Sequence, residues 1–365
     1  MIGAGLPRPA PKSVVEALTS VQVTSSKDRS GFQLTFTAGK DSALVRNLLP
    51  SGYFDPMITR VIVVVTVEGT PHVLMDGVVT RQEISPGQEG TQGALSVTGE
   101  DLSVLMDVVE VIRPFPAMPE VARIYAILAP YAALGIAPVV IPPLIPVVKI
   151  PTEGFDSQTT TDLKYIKNLA ETCGYVFYVE PGPLPGSSIA YFGPDIRIPM
   201  PQPALTANMD AHSNVESLSF SLDGLAKKLM IFTVFDPITK KIPIPLPLPD
   251  INILHPPLGA RPTPPARMEF ATNLATLKPE EATQRVLGHL FSASTAVSGS
   301  GSLDVLRYGH VLRSRQLVGV RGAGPAYDGF YYVDSVTHNL KRGEYKQNFT
   351  LSRDGLIANT PRIPV

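Results

Sequence analysis

The sequence predicts a β-rich α+β protein with two antiparallel β-barrels, one toward each end of the chain, and an inserted helix-hairpin unit and Pro-rich segments between and within them. Three observations carry this. Short runs that alternate apolar and polar residues, bounded by Gly, Pro and Asp, recur from Val21 to Thr98 and again from Val311 to Ser352. Helical spacing is confined to four brief stretches. The 37 prolines among 365 residues gather into tracts that neither a helix nor a central strand accommodates.

In chain order, Val21 to Thr24 and Phe32 to Phe36 alternate around a Lys27 to Gly31 turn and read as a hairpin. Ile58 to Val67 is mostly β-branched, Glu68 to Pro71 is a turn, and Val73 to Arg81 leads onward. After a strand at Ala94 to Thr98, residues Leu102, Leu105, Met106 and Val109 fall at helical spacing. Residues 1–112 therefore make the first barrel. Residues 113–205 open with an apolar Pro-rich stretch, 113–151, holding a short helix over Glu120 to Leu128. A capped helix start follows at Asp156 to Asp162, with Leu163, Ile166, Leu169, Ala170 and Cys173 as one stripe and Gly174 as its stop. Strands Tyr175 to Glu180 and Ile189 to Phe192 complete the helix-hairpin unit.

Residues 206–365 form the second barrel, with a Pro-rich insertion at 236–266. Val215 to Leu222 alternates, and Leu229 to Phe235 is an apolar strand. From Ile242 to Pro249 proline takes every second position, so an extended chain lacks donors along one whole edge; it pairs on one side only, or runs as a polyproline II linker. Pro279-Glu-Glu opens a helix to Leu290, since proline loses nothing at a first turn and acids suit its dipole. Strands at Val311 to Arg313, Gln316 to Val320, Gly329 to Val336 and Gly343 to Ser352 close the barrel.

Lys plus Arg is 31 against 32 for Asp plus Glu, so the chain lacks the basic surplus of a nucleic-acid binder. One cysteine and six histidines without ligand spacing predict neither disulfide nor structural metal, and no cofactor motif is present. The first residues lack a charged and then apolar leader, which predicts synthesis in the cytoplasm without a signal peptide. Leu134 to Ile150 is almost wholly apolar, yet Pro138, Pro142, Pro143 and Pro146 each cost about 3 kcal/mol inside a helix, which argues against a membrane span. Leu134, Val139, Ile141, Leu144 and Ile145, with Ile242, Ile244, Leu246 and Leu248 of the second tract, are instead the candidate interaction residues, too apolar to leave in water without a partner.

A chemical site does not emerge. Gly319 to Gly324 has glycine spacing but strands on both sides, so it is a hairpin turn. Cys173, imaginable as a nucleophile with His212 or His338, sits on an apolar helical stripe and reads as core. The acid pairs Glu280-Glu281, Glu100-Asp101 and Asp328 with Asp334 have plainer roles at a helix start, a cap and a turn. His289 and His310 are too far apart for a local metal pair. A carbohydrate-binding sandwich is disfavoured by the absence of tryptophan.

Four linked segments at the C-terminus resemble the closing barrel of the phage late control protein D and VgrG-type tail hubs: Leu306 to Leu312, Leu317 to Gly322, Asp328 to His338 and Tyr345 to Leu356. Gly99 to Ser103, Thr161 to Tyr178 and Asn214 to Gly224 match further upstream. The resemblance implies tube-like barrels, a homotrimer in which six of them form a ring, and a structural, non-enzymatic role joining a hexameric inner tail tube to a trimeric spike. It implies as partners an inner tube or tube-initiator protein above, a separate spike protein below and other baseplate proteins, in the assembled particle of a contractile injection system. A contractile phage tail is the alternative, and a tail-associated cell-wall-degrading enzyme is the alternative from another class. VgrG proteins continue into a spike whereas this sequence ends at Val365, hence the expectation of a separate spike. Strand edges at Val21 to Phe36 and Gly343 to Ser352 are the expected ring contacts.

Overall fold

A computed structural model describes the whole chain except residues 6, 28, 40, 88–92, 150–151, 153, 198–199, 236–242, 248–255, 272–278, 292–294 and 360–365. β1 (Ile2–Ala4) and α1 (Lys12–Ala17) precede β2 (Leu18–Ser26), β3 (Ser30–Ala38), β4 (Thr59–Val67), β5 (Thr70–Ser85) and β6 (Gly93–Asp101). The middle of the chain holds β7 (Arg113–Phe115), α2 (Glu120–Leu128), β8 (Ile136–Val140), β9 (Asp156–Gln158), α3 (Asp162–Cys173), β10 (Val176–Pro181) and β11 (Ser188–Gly193). Then follow β12 (Gln202–Thr206), β13 (Ser217–Leu222), β14 (Lys228–Phe235), β15 (Pro243–Pro247), β16 (Gly259–Pro262), β17 (Arg267–Ala271) and α4 (Pro279–Phe291). The chain finishes with β18 (Val297–Asp304), α5 (Val305–Tyr308), β19 (Leu317–Arg321), β20 (Gly329–Lys341), β21 (Glu344–Arg353) and β22 (Gly355–Ala358).

The predicted hairpins form where expected. At the β4–β5 turn, Glu68 and Gly69 both take positive φ, which reverses the chain within two residues. The two ends of the chain do not, however, make two closed barrels. They share one twelve-stranded sheet in the order β1-β4-β5-β6-β3-β2-β20-β21-β18-β13, with β19 joined to β20 and β12 to β19; among the described residues no sheet closes on itself. The bridge is β2, antiparallel to β20 from Ser20↔Lys341 to Ser26↔Ser335. β20 is 13 residues long, so its first turnings pair with β19 while the rest is left to meet β2, which would otherwise present an unpaired row of N–H groups. One apolar core accordingly draws on both ends, joining Val23, Phe36 and Val97 to Tyr331, Phe349 and Leu351.

A second core belongs to the middle of the chain. α3 is capped by the Thr161 hydroxyl, which accepts from Lys164 N, and stopped by Gly174 at φ 69°. Its Ile166, Ala170 and Cys173 are buried against β10, α2, α4 and the turn Leu102–Asp107. β10, β11 and β8 form a small sheet in which β8 runs parallel to β11, so part of the Pro-rich stretch is a strand. In the second Pro-rich tract β15 lies at the edge of a sheet ordered β15-β14-β17 and, among the described residues, pairs with β14 alone. That one-sided pairing is what alternate prolines permit.

Two expectations fail locally. Val311 to Arg313 is not a strand. Leu312 is buried, but its N–H donates to Gln347 Oε1 at 3.1 Å and its carbonyl accepts from Gln347 Nε2 at 2.9 Å, so one amide side chain replaces a ladder. The edges Val21 to Phe36 and Gly343 to Ser352 are not open either, since β2, β3 and β21 are each paired on both sides.

Candidate interaction surfaces

The apolar stretch at 134–150 is tied to the middle core at intervals through Ile136 and Val147, with exposed residues in between. Leu134 ends a 3₁₀ turn and is half-buried, and the position after it admits only glycine, since Gly135 takes φ 79° and Gly186 O would stand 2.3 Å from any Cβ there. Ile141 is half-buried and donates from its backbone N to Phe192 O at 2.8 Å. Ile145 is half-buried, and its carbonyl accepts from Gln284 Nε2 at 3.0 Å. Val139 and Leu144 remain in solvent, 43% and 68% exposed. In the second tract Ile244 and Leu246 pair through their backbones with Val234 and Phe232, whereas Ile242 and Leu248 lie outside the described residues. Sequence reasoning passed over Met268 and Phe270 on β17, which are 71% and 65% exposed. In register they face the same way as Leu229 and Ile231 of β14, a signal that shows only once the strands are paired.

Charged groups cluster where the middle unit meets the large sheet. Arg60 of β4 and Asp76 of β5 are buried and joined by two 2.6 Å bonds, and Ser188 Oγ of β11 donates to Asp76 at 3.3 Å. Nearby, the Arg315 guanidinium lies 4.0 Å over the Tyr178 ring and 3.7 Å from Glu180. Burial pushes the Glu180 carboxyl up and Arg315 opposes that shift. Tyr332 donates its hydroxyl to Asp195 at 2.9 Å under the Arg197 guanidinium. The Arg60–Asp76 pair lies within the large sheet, but Ser188 and the Gly186 carbonyl reach it from the middle unit, and the Arg315 contacts to Tyr178 and Glu180 and the Tyr332–Asp195 bond cross the seam too, so the cluster fastens two units together.

The residues weighed for chemistry take structural places. Cys173 is buried, with its thiol pushed up to about 12 by desolvation and then by Glu120, far from a nucleophile's range. His338 is buried in the large sheet, where desolvation holds it neutral with a pKa of about 3, and its Nδ1 lies 2.8 Å from Tyr345 Oη. Gly319 to Gly324 leads β19 into its turn toward β20. A 740 Å³ cleft is lined by Gln202, His212, Tyr308, His310 and Arg321 among others, without a carboxylate to pair with either imidazole. Among the described residues no three His, Cys, Asp or Glu side chains are placed to hold a metal, and no helix is long and apolar enough to cross a membrane.

No protein-family model matches the sequence. No curated protein matches it either. Solved structures share its fold along nearly the whole chain. A tail protein from Neisseria meningitidis superposes with a TM-score of 0.58 at 15% identity, covering 93% of this chain and 93% of its own. The 43 kDa tail protein of prophage MuSo2 from Shewanella oneidensis does so at 0.57 and 13%, covering 92% and 94%. An E. coli component of the type VI secretion system, described as structurally similar to the T4 bacteriophage tail proteins gp27 and gp5, gives 0.52 and 11%, covering 100% and 78%. The fold is that of phage tail proteins and VgrG-type secretion proteins.

Proposed function

We propose that this chain is a structural baseplate hub, a homotrimer that joins a hexameric inner tube to a trimeric spike in a contractile injection system, without enzymatic activity. The observation that carries this reading is the tail-protein fold covering the chain from end to end. Residues 1–112 and 206–365 each supply a tube-like half of the sheet, so three copies offer six similar modules to a six-fold tube and three to the spike below. Among the described residues the main path of the sheet ends at β13 on one side and, beyond Met1 and the short β1, at the Val63 to Val67 part of β4 on the other, with β12 a further edge off the path. If the β13 edge of one copy meets the β4 edge of the next, the contact is heterologous and closes a ring in which neither of these two edges is left open.

The remaining partners are an inner tube or tube-initiator protein above and other baseplate proteins around the ring. Prophage tail proteins carry the same fold, so the hub of a contractile bacteriophage tail is the companion reading. Mass measurement of the chain in purified particles should give three copies. A six-copy ring, a monomer, or digestion of peptidoglycan by the purified chain would each defeat the proposal.

A further inference from the structure

The large sheet has one face on the core and one in solvent, and the solvent face is unusual in chemistry. Along one line of register, Ser219, Ser300, Thr350, Ser335 and Ser26 stand side by side on five successive strands. Along the next, Ser217, Ser302, Asn348, Thr337 and Thr24 do the same. The patch is roughly 20 Å wide, from the spacing of neighbouring strands, and includes a shallow depression of 390 Å³. Both rows are free of charge, in a chain with 31 basic and 32 acidic residues. An ordinary solvated sheet face carries lysine and glutamate to keep it soluble and to stop it pairing with others.

Across neighbouring strands the hydroxyls pair with one another, each pair sharing one hydrogen bond. Ser217 Oγ and Ser302 Oγ are 2.8 Å apart, Ser219 Oγ and Ser300 Oγ 3.0 Å, Ser335 Oγ and Thr350 Oγ1 2.7 Å, and Thr24 Oγ1 and Thr337 Oγ1 3.2 Å. Charge resumes at the rims, where Lys346 holds Glu216 at 2.8 Å and Arg29 holds Glu100 at 2.9 Å. A face so built offers a passing chain no fixed charge, only small hydroxyls and one amide that bond equally well to water, which exchanges freely over it.

We infer that this hydroxyl-paved face lines an aqueous passage on the axis of the assembled ring and lets polypeptide cargo move through without being gripped. The inference rests on the hub reading above. A polyanion would be kept off the wall by an acidic lining. A polypeptide carries both signs, and fixed wall charge of either sign holds part of it, with the attractions multiplying along the chain. Only an uncharged lining avoids this.

The single native cysteine is buried, so Ser300→Cys and Thr350→Cys place one accessible thiol each on the face with little change of shape. On the free chain, a small maleimide and a bulky polyethylene glycol maleimide should both react. In assembled particles the small reagent should still react and the bulky one should not. Reaction of both in particles would make this an outer surface, and reaction of neither would make it a protein contact; either result overturns the inference. Counting three copies in the same particles checks the hub reading separately. Ser300→Lys with Thr350→Lys should leave particle yield intact and lower protein delivery severalfold, and unchanged delivery would refute the low-adhesion role.

Discussion

Replacing Asp76 by alanine should be among the most damaging single changes outside the apolar cores. The carboxylate is fully buried, accepts two 2.6 Å bonds from Arg60 and one from Ser188, and ties β4 and β5 to β11. Without it the Arg60 guanidinium, itself buried, keeps only the Gly186 carbonyl at 3.2 Å. Breaking a buried pair from one side costs about 3–5 kcal/mol, because the surviving charge is stranded out of water. Against a total stability of about 5–15 kcal/mol that is a large fraction. Asp76→Asn keeps the shape and an acceptor and should cost about half as much, the difference between charged and neutral hydrogen bonds. Arg60→Met with Asp76→Leu should recover most of the loss, since an apolar pair of similar volume removes both desolvation penalties. Urea unfolding reads all three as midpoint shifts at constant slope. A cost under about 1 kcal/mol for Asp76→Ala, the size of an exposed pair, or a double variant no better than the single, would refute the reasoning.

Ile166→Asp places a charge on the fully buried face of α3 and should cost several kcal/mol; a midpoint equal to wild type would mean that the helix does not pack there. His338 is neutral in the fold, with a pKa near 3 against an ordinary 6.5, so the unfolded chain binds the extra proton between those values. Its contribution to stability is therefore complete above pH 6.5 and is lost as pH falls toward 3, at about 1.4 kcal/mol per unit. His338→Gln should flatten that part of the stability profile, and an unaltered slope would assign it to other groups. Gly301→Val sets a Cβ 2.4 Å from Ser217 O and 2.7 Å from the Phe349 ring, so β13 or β21 must move; calorimetry should show a clear fall in Tm. Leu144→Asp alters a residue 68% exposed and should leave stability unchanged while lowering incorporation into particles. Normal incorporation would clear that position of any contact.

Local chemistry made many elements legible in the sequence. The cap signal within Asp156 to Asp162, the Leu163 to Cys173 stripe and Gly174 mark α3 without reference to anything outside it, because caps and 3.6-residue periodicity are properties of the segment itself; the structure picks Thr161 as the cap. Patterning likewise identified β2, β3, β6 and β20, whereas alternate prolines left one-sided pairing and a polyproline II linker both open, and the structure takes the former at β15. β18 was not legible. Val297 to Asp304 reads Val-Ser-Gly-Ser-Gly-Ser-Leu-Asp, poor in strand formers, yet it lies between β21 and β13 because Gly299 and Gly301 leave room for the rings of Phe220 and Phe349. That compensation comes from residues far off in the chain. The pairing of β2 with β20, which turns two expected barrels into one open sheet, is likewise a choice between partners more than 300 residues apart. The interaction surfaces were half visible for the same reason: the sequence marks Leu144 as apolar, but only packing decides that Leu144 stays in solvent while Ile136, a few residues away, is buried. Periodicity tells a strand which face to bury; which edge it joins, and what its outer face meets, depends on the other strands competing for the same hydrogen bonds.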